Sequence, residues 1–320
     1  MGVPARGRDV LMLRAFLLIV VGLAGDPEHG ELFQKWGTAL ADASEKVGVT
    51  RERLVYLGEA KDEGRVHGRA TRDEIEKALA GFAQAAGPDD VVYVVLFGHG
   101  SYDGQSARFN LPGPDMTAAD FDRLLRRLRA RNVAFVNTAS SSGPFVEALS
   151  AEGRTVIAAT RSGAEQFSTL FGGYFVEAFS AEAADADKNT RISMLEAFQY
   201  AKAEVTRAYE REGLLVVEHA VLDDNGDKIG SQTPSPTGAD GKLAAALSLG
   251  SAADAAPLPD DPRLRALYLE RRELERRVES LRLLKDSMPP AKYASELERL
   301  VIEVALKTRE IRKLEGAPTP

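Results

Sequence analysis

Val91-Val-Tyr-Val-Val-Leu-Phe-Gly-His-Gly-Ser101 reads as an apolar strand that delivers a histidine into a glycine-flanked turn. An unbroken apolar run, with no polar alternation, is the pattern of a parallel strand covered on both faces. Gly98 and Gly100 leave His99 with no bulky neighbour to cover it. Further on, Asn132-Val-Ala-Phe-Val-Asn137 repeats the pattern and runs into Thr138-Ala-Ser-Ser-Ser-Gly143. Between the two, Thr117 opens a helix read to Arg131, with Phe121, Leu124, Leu125 and Leu128 at helical spacing. Strand, helix and parallel strand put both turns at one carboxyl edge of one sheet, where open α/β sheets build their sites. His99 and Ser140 are therefore the candidate frame of a functional site.

The same alternation extends along the chain. Strands are expected at 15–22, 53–57, 91–97, 132–137 and 154–160, with a helix from about Pro27 and another from Thr71-Arg-Asp-Glu74 to about Ala86. That last tetrapeptide is a capping box, in which hydroxyl and carboxylate satisfy orphan backbone donors reciprocally. The fold class is α/β, with a mainly parallel sheet covered on both faces. After Asp223-Asp-Asn-Gly-Asp227 the composition turns to Gly, Ser, Pro and Ala, and residues 223–262 are expected to be a flexible linker. Residues 263–315 are expected to form an antiparallel α-helical hairpin broken at Met288-Pro-Pro290. Leu267, Leu274, Val278 and Leu281 would face Leu297, Leu300 and Val304, leaving a face for the main domain or for self-association with a second chain. Arg271, Arg272, Arg276 and Arg277 alternate with Glu270, Glu273 and Glu275, as on a solvated helix face.

Composition removes several function classes. A net charge of -7 lacks the basic face that nucleic acid requires. The absence of cysteine removes disulfides, thiolate metal sites and a thiol nucleophile together. Arg6, Arg8 and Arg14 precede the apolar run Ala15–Ala24, which mimics a secretion signal. A buried first strand is the favoured reading, because the run closes in the turn Gly22-Leu-Ala-Gly25. The strand reading goes with a cytoplasmic protein and the signal reading with a secreted or periplasmic one. No run reaches the ~20 residues needed to span a bilayer.

In their order and spacing, Phe97-Gly-His-Gly-Ser101 and Ala139-Ser-Ser-Ser-Gly143 resemble the histidine and nucleophile segments of legumain-like and caspase-like cysteine peptidases. Ser140 stands where that family has its cysteine. The resemblance continues through Thr155-Val-Ile-Ala-Ala-Thr160 and Phe171-Gly-Gly-Tyr-Phe-Val-Glu-Ala-Phe179 and spans residues 14–222. It implies a caspase-like three-layer α/β/α domain over 14–222, catalytic positions at His99 and Ser140, and oxyanion donors in the turns at Gly100 and Ser141. It implies no required cofactor, and a peptide or protein ligand. The departures are Ser140 itself, Thr138 in place of the glutamate two residues before the family's cysteine, and the lack of any arginine between Arg14 and Arg51 to form a legumain-type pocket. A serine hydroxyl is a far weaker acid than a thiol and needs an oriented histidine and an oxyanion hole. The expectation is a pseudopeptidase acting through binding, with a serine hydrolase using Ser140 and His99 as the alternative.

A different hydrolase class is suggested by Ala139-x-Ser141-x-Gly143, which approximates a nucleophile elbow, with Asp187 and His219 completing a Ser, Asp, His order. Ala139 in place of the first glycine and Pro144 after the last weaken that match. Asp185-Ala-Asp-Lys-Asn-Thr-Arg-Ile-Ser-Met-Leu-Glu196 matches an EF-hand loop, with Asp185, Asp187, Asn189, Arg191, Ser193 and Glu196 as calcium ligands. Thr190 replaces the loop glycine, and Ser193-Met-Leu-Glu196 also reads as a capping box. His29 and His67 lack paired ligand spacing and read as surface histidines.

Overall fold

The computed structural model describes residues 14–60, 64–250, 259, 261–283, 285 and 288–315. The chain divides into two compact units, one over Ala15–Pro257 and one containing the C-terminal helices. The larger unit runs β1 (Ala15–Val21), α1 (Pro27–Lys46), β2 (Leu54–Gly58), β3 (Gly68–Arg69), α2 (Arg72–Ala85), β4 (Val91–Phe97), β5 (Gly100–Tyr102), β6 (Ala107–Phe109), β7 (Met116–Thr117), α3 (Ala118–Leu125), β8 (Asn132–Asn137), α4 (Pro144–Leu149), β9 (Arg154–Ala158), α5 (Phe171–Ala178), α6 (Met194–Arg211), β10 (Val221–Asp223) and α7 (Lys242–Ala246). Its main sheet has the order β10-β9-β8-β4-β1-β2-β3, and β5, β6 and β7 form a small second sheet. All pairs of the main sheet are parallel except β9 with β10. The apolar run 15–21 is thus an interior strand, paired with β4 on one side and β2 on the other.

Two features of this topology position the site. The chain leaves β1 toward β2 and β3, then returns to the other side of β1 as β4, so the sheet switches direction between β1 and β4. Crevices open at such switch points, outside the carboxyl ends of the strands. Val21 pairs with Phe97 and Leu96 with Asn137, so β1, β4 and β8 end level and their turns emerge side by side.

Alternate strand residues serve opposite faces. Phe16, Leu18, Val20, Val92, Val94, Leu96 and Phe135 share one core with Ile75, Leu79 and Phe82 of α2, Phe121 and Leu124 of α3, and Phe145 and Leu149 of α4. On the opposite face the Phe97 ring lies 6.1 Å from Trp36 of α1. A Cβ on Gly172 of α5 would stand 2.9 Å from the same indole and one on Gly173 3.0 Å, so α5 approaches α1 closely because neither residue has a side chain. Together these layers are the caspase-like α/β/α architecture expected from the sequence.

The differences from expectation are local. The helix opened by Thr117 ends at Leu125, because Arg127 and Leu128 form tighter bonds to Leu124 and Leu125. Thr71 caps α2, but the Glu74 carboxylate turns to Lys77 instead of completing the box. The linker expected over 223–262 is corrected for residues 223–250, which are packed. Leu222 and Ser231 exchange backbone hydrogen bonds, the Asp224 carboxylate accepts from Gly241 and Ala244, and the Ser248 carbonyl accepts from Tyr93 Oη at 2.6 Å. Composition misled here because a few residues, Ala244, Leu247 and Leu249, are buried by elements distant in sequence. Residues 251–258 lie outside the described residues.

In the second unit, α8 (Pro262–Leu283) and α9 (Pro290–Leu314) run antiparallel, with Lys307 paired to Glu270 at 2.8 Å and Tyr268 Oη donating to Glu315. Leu274, Leu281 and Leu300 form its core with Val278, Leu297 and Val304 around them. No described helix is long and apolar enough to cross a membrane.

Candidate functional site

His99 follows β4 in the expected turn. Its half-buried ring packs edge-on to His29, with centroids 4.7 Å apart, and to Phe33 at 5.1 Å, and it hydrogen-bonds the Ala24 carbonyl. Partial burial, then the neighbouring His29, hold its pKa below the ordinary histidine value, so the ring is neutral at pH 7. Ser140 follows β8 and is 4% exposed. Its Oγ donates to the Gly100 carbonyl at 3.1 Å and accepts from the Gly100 N–H at 3.3 Å. The two turns therefore meet, as strand order predicted, but the hydroxyl is joined to the backbone after His99 and not to its ring.

The oxyanion role expected for Gly100 and Ser141 needs correction. The Gly100 N–H is taken by Ser140 Oγ, and the Ser141 N–H donates to the Glu165 carbonyl at 2.8 Å. Ser141 sits in the left-handed region at φ 53°, with its Oγ on the Gly163 carbonyl at 3.0 Å. Ser142 Oγ and the Gly143 N–H bond Thr160 Oγ1 at 3.2 and 3.0 Å. The serine-rich turn is thus spent on holding itself to the loop after β9.

The triad Ser141, Asp187 and His219 does not form. His219 Nδ1 lies 2.8 Å from Glu165 Oε1, and its backbone N–H reaches Glu165 Oε2 at 3.0 Å. The same carboxylate holds Arg161 Nε at 3.0 Å. Asp187 is bonded instead to Asn189. Glu165 was missed because nothing local marks it; its partner is distant in sequence.

Residues 73–220 match the Peptidase C13 family. The match runs from α2 to the start of β10 and contains both turns, so the legumain resemblance holds over that segment. No curated protein matches the chain. The chain has no cysteine, in the matched segment or outside it.

The calcium ligands expected in this segment are partly assembled. Carboxylate oxygens of Asp185, Asp187 and Glu196 lie within 4.8 Å of one another. Yet Glu196 Oε2 accepts from the Ser193 N–H and Oγ at 2.9 and 2.7 Å, while Oε1 accepts from Ala186 at 3.0 Å. A bidentate calcium bond through Glu196 would dismantle the capping box that starts α6. The Arg191 side chain turns away to Ser248 Oγ and the Gly250 carbonyl. Asn189 spends its side-chain oxygen on the Arg191 N–H, and Ser193 its hydroxyl on Glu196. This donor set fits calcium poorly.

Beside His219 lies a cavity of about 260 Å³ lined by Phe171, Val205, Thr206, Val216 and Glu218. Burial pushes the Glu218 carboxyl up to about 7, although Leu170, Phe171 and Tyr209 donate to it. A folded pKa above the unfolded value makes the folded state bind the extra proton, so this contribution is complete below about pH 4.5 and is lost as pH rises through 7. Asp240, pushed up by burial to about 6, acts in the same direction. Glu218→Gln is expected to flatten the fall in urea midpoint between pH 5 and 8 by the equivalent of about 1–3 kcal/mol. An unchanged pH slope in this variant would contradict the assignment.

Proposed function

We propose that this protein is a legumain-like pseudopeptidase that binds peptide or protein segments through the carboxyl edge of its sheet without cleaving them at Ser140. One observation carries the reading: the Ser140 hydroxyl is buried and doubly bonded to the Gly100 backbone. General-base activation needs the base within hydrogen-bond reach of the proton it removes. The proton of Ser140 instead goes to a carbonyl oxygen. The ligand side is supported by exposed apolar residues on the loops bordering the frame, with Leu23 39%, Phe167 72% and Leu170 41% accessible. Apolar side chains suit this surface better than the asparagine that a charged legumain pocket would take. Self-association through the hairpin, where Val301, Ile302 and Leu306 are exposed, belongs to the same reading and is measured by sedimentation of the full chain.

The test is a library of synthetic peptides passed over the immobilised protein, with retained and released peptides sequenced by mass spectrometry. Retention of peptides rich in apolar residues is expected, without new termini, and Phe167→Asp should abolish most of it. New termini that disappear in Ser140→Ala would replace the proposal with an active serine peptidase. Failure to retain any peptide would end the binding reading.

A further inference from the structure

His29 is not an isolated surface histidine. Its Nδ1 lies 2.7 Å from Asp26 Oδ2, and its Nε2 lies 3.2 Å from Ser168 Oγ, contributed by the loop between β9 and α5. A carboxylate only accepts, so Nδ1 is the donor to Asp26, and a ring protonated at Nδ1 alone presents its Nε2 lone pair to the Ser168 hydroxyl. Carboxylate on Nδ1 and hydroxyl on Nε2 is the arrangement that activates a serine. We propose that Ser168, His29 and Asp26 form a hydrolytic triad for carboxylic esters, separate from the Ser140 position.

Five features support this. The triad stands at the switch point, because Asp26 and His29 follow β1 while His99, in ring contact with His29, follows β4. Ser168 is held in place by its neighbours, Thr169 Oγ1 donating to the Thr138 carbonyl and the Leu170 N–H to Glu218. Asp26 is also the N-cap of α1, its Oδ1 accepting from the His29 N–H at 2.9 Å, so one carboxylate fixes both the helix start and the ring. The N-terminal end of α1 favours negative charge developing nearby, while Asp26 offsets its effect on the imidazolium. The neutral His99 adds no like charge when His29 takes up a proton.

In the reaction, Ser168 Oγ attacks the ester carbonyl carbon as its proton moves to His29 Nε2. The C–O bond to the leaving alcohol breaks, and that alcohol departs with the proton from His29. Water then attacks the acyl-Ser168 carbonyl, giving its proton to His29, and the carboxylic acid leaves as Ser168 regains a proton. The group is exposed, so esters with good leaving groups are the fitting class, and the exposed Leu23 and Phe167 favour an apolar acyl chain.

The experiment uses the full chain with a fluorophosphonate probe and p-nitrophenyl butyrate. Ser168 Oγ attacks the probe's phosphorus, forming a P–O bond and expelling fluoride, as His29 takes the hydroxyl proton. A single adduct on Ser168 is expected, with ester turnover lost in Ser168→Ala and His29→Ala. Asp26 is a positioning residue. Asp26→Asn preserves the cap, since asparagine caps as well as aspartate, and should lower kcat on the order of tenfold with KM and melting temperature unchanged. The loss is smaller than for a buried aspartate because the Asp26 side chain is 50% exposed. Labelling at Ser140 or Ser141, labelling that survives His29→Ala, or no labelling at all in the folded protein would overturn the proposal. Peptide retention is read separately, so its failure would leave this result untouched.

Discussion

Gly100→Ala is expected to destabilise the protein by about 3 kcal/mol or more, the range of severe overpacking. A Cβ there would stand 2.3 Å from the Ser140 carbonyl oxygen and 3.1 Å from that of Arg108. Both obstacles are backbone, one in the serine turn and one in β6, and neither can swing aside as a side chain could. Ser140→Ala should cost less, about 1–3 kcal/mol, because it leaves the Gly100 N–H and carbonyl without their partner but introduces no clash. Gly81→Ala is the control. Its Cβ meets nothing within 4 Å on α2, so it should gain about 0.5–1 kcal/mol from helix propensity. Urea unfolding of the three variants gives the ordering. If Gly100→Ala unfolds within about 0.5 kcal/mol of the parent, an ordinary surface effect, the contact between the two turns is wrong.

Arg154→Met is expected to cost about 3 kcal/mol. The Arg154 side chain is 8% exposed, with Nη1 2.7 Å from Asp122 Oδ1 and 2.9 Å from the Leu149 carbonyl. It ties the edge of β9 to α3 and to the end of α4. Methionine fills the volume but leaves the largely buried Asp122 carboxylate without its closest buried partner. Adding Asp122→Leu should restore most of the loss, because a well-packed apolar pair is often as stable as a buried ion pair. A double variant no more stable than Arg154→Met would show that the pair matters through shape and not through charge.

The main strands were legible because each is a short apolar run closed by glycine or a polar turn, and a strand covered on both faces needs little more than that. Thr117 and Ser193 marked helix starts correctly, since a cap is a contact between residues three apart. The frame of His99 and Ser140 was legible for a different reason, topology: consecutive parallel strands deliver their following turns to one edge. What those turns do there was not legible. Whether Ser140 Oγ meets the His99 ring or the Gly100 backbone depends on about an ångström of turn geometry, which residue types do not encode.

By itself, then, the sequence determined an α/β domain with two turns meeting at the carboxyl edge, no cysteine, and a helical pair after residue 262. These follow from local periodicity, turn chemistry and composition. Tertiary structure decided the pairings. Glu165 meets His219, Ser168 meets His29, and residues 223–250 are held by Tyr93 and by the bridge to Leu222. The physical reason is the same in each case: Glu165 and His219 are 54 residues apart, and Ser168 and His29 are 139. Contacts at such separations arise only once the sheet has ordered its strands, and nothing in the neighbouring sequence of either partner announces the other.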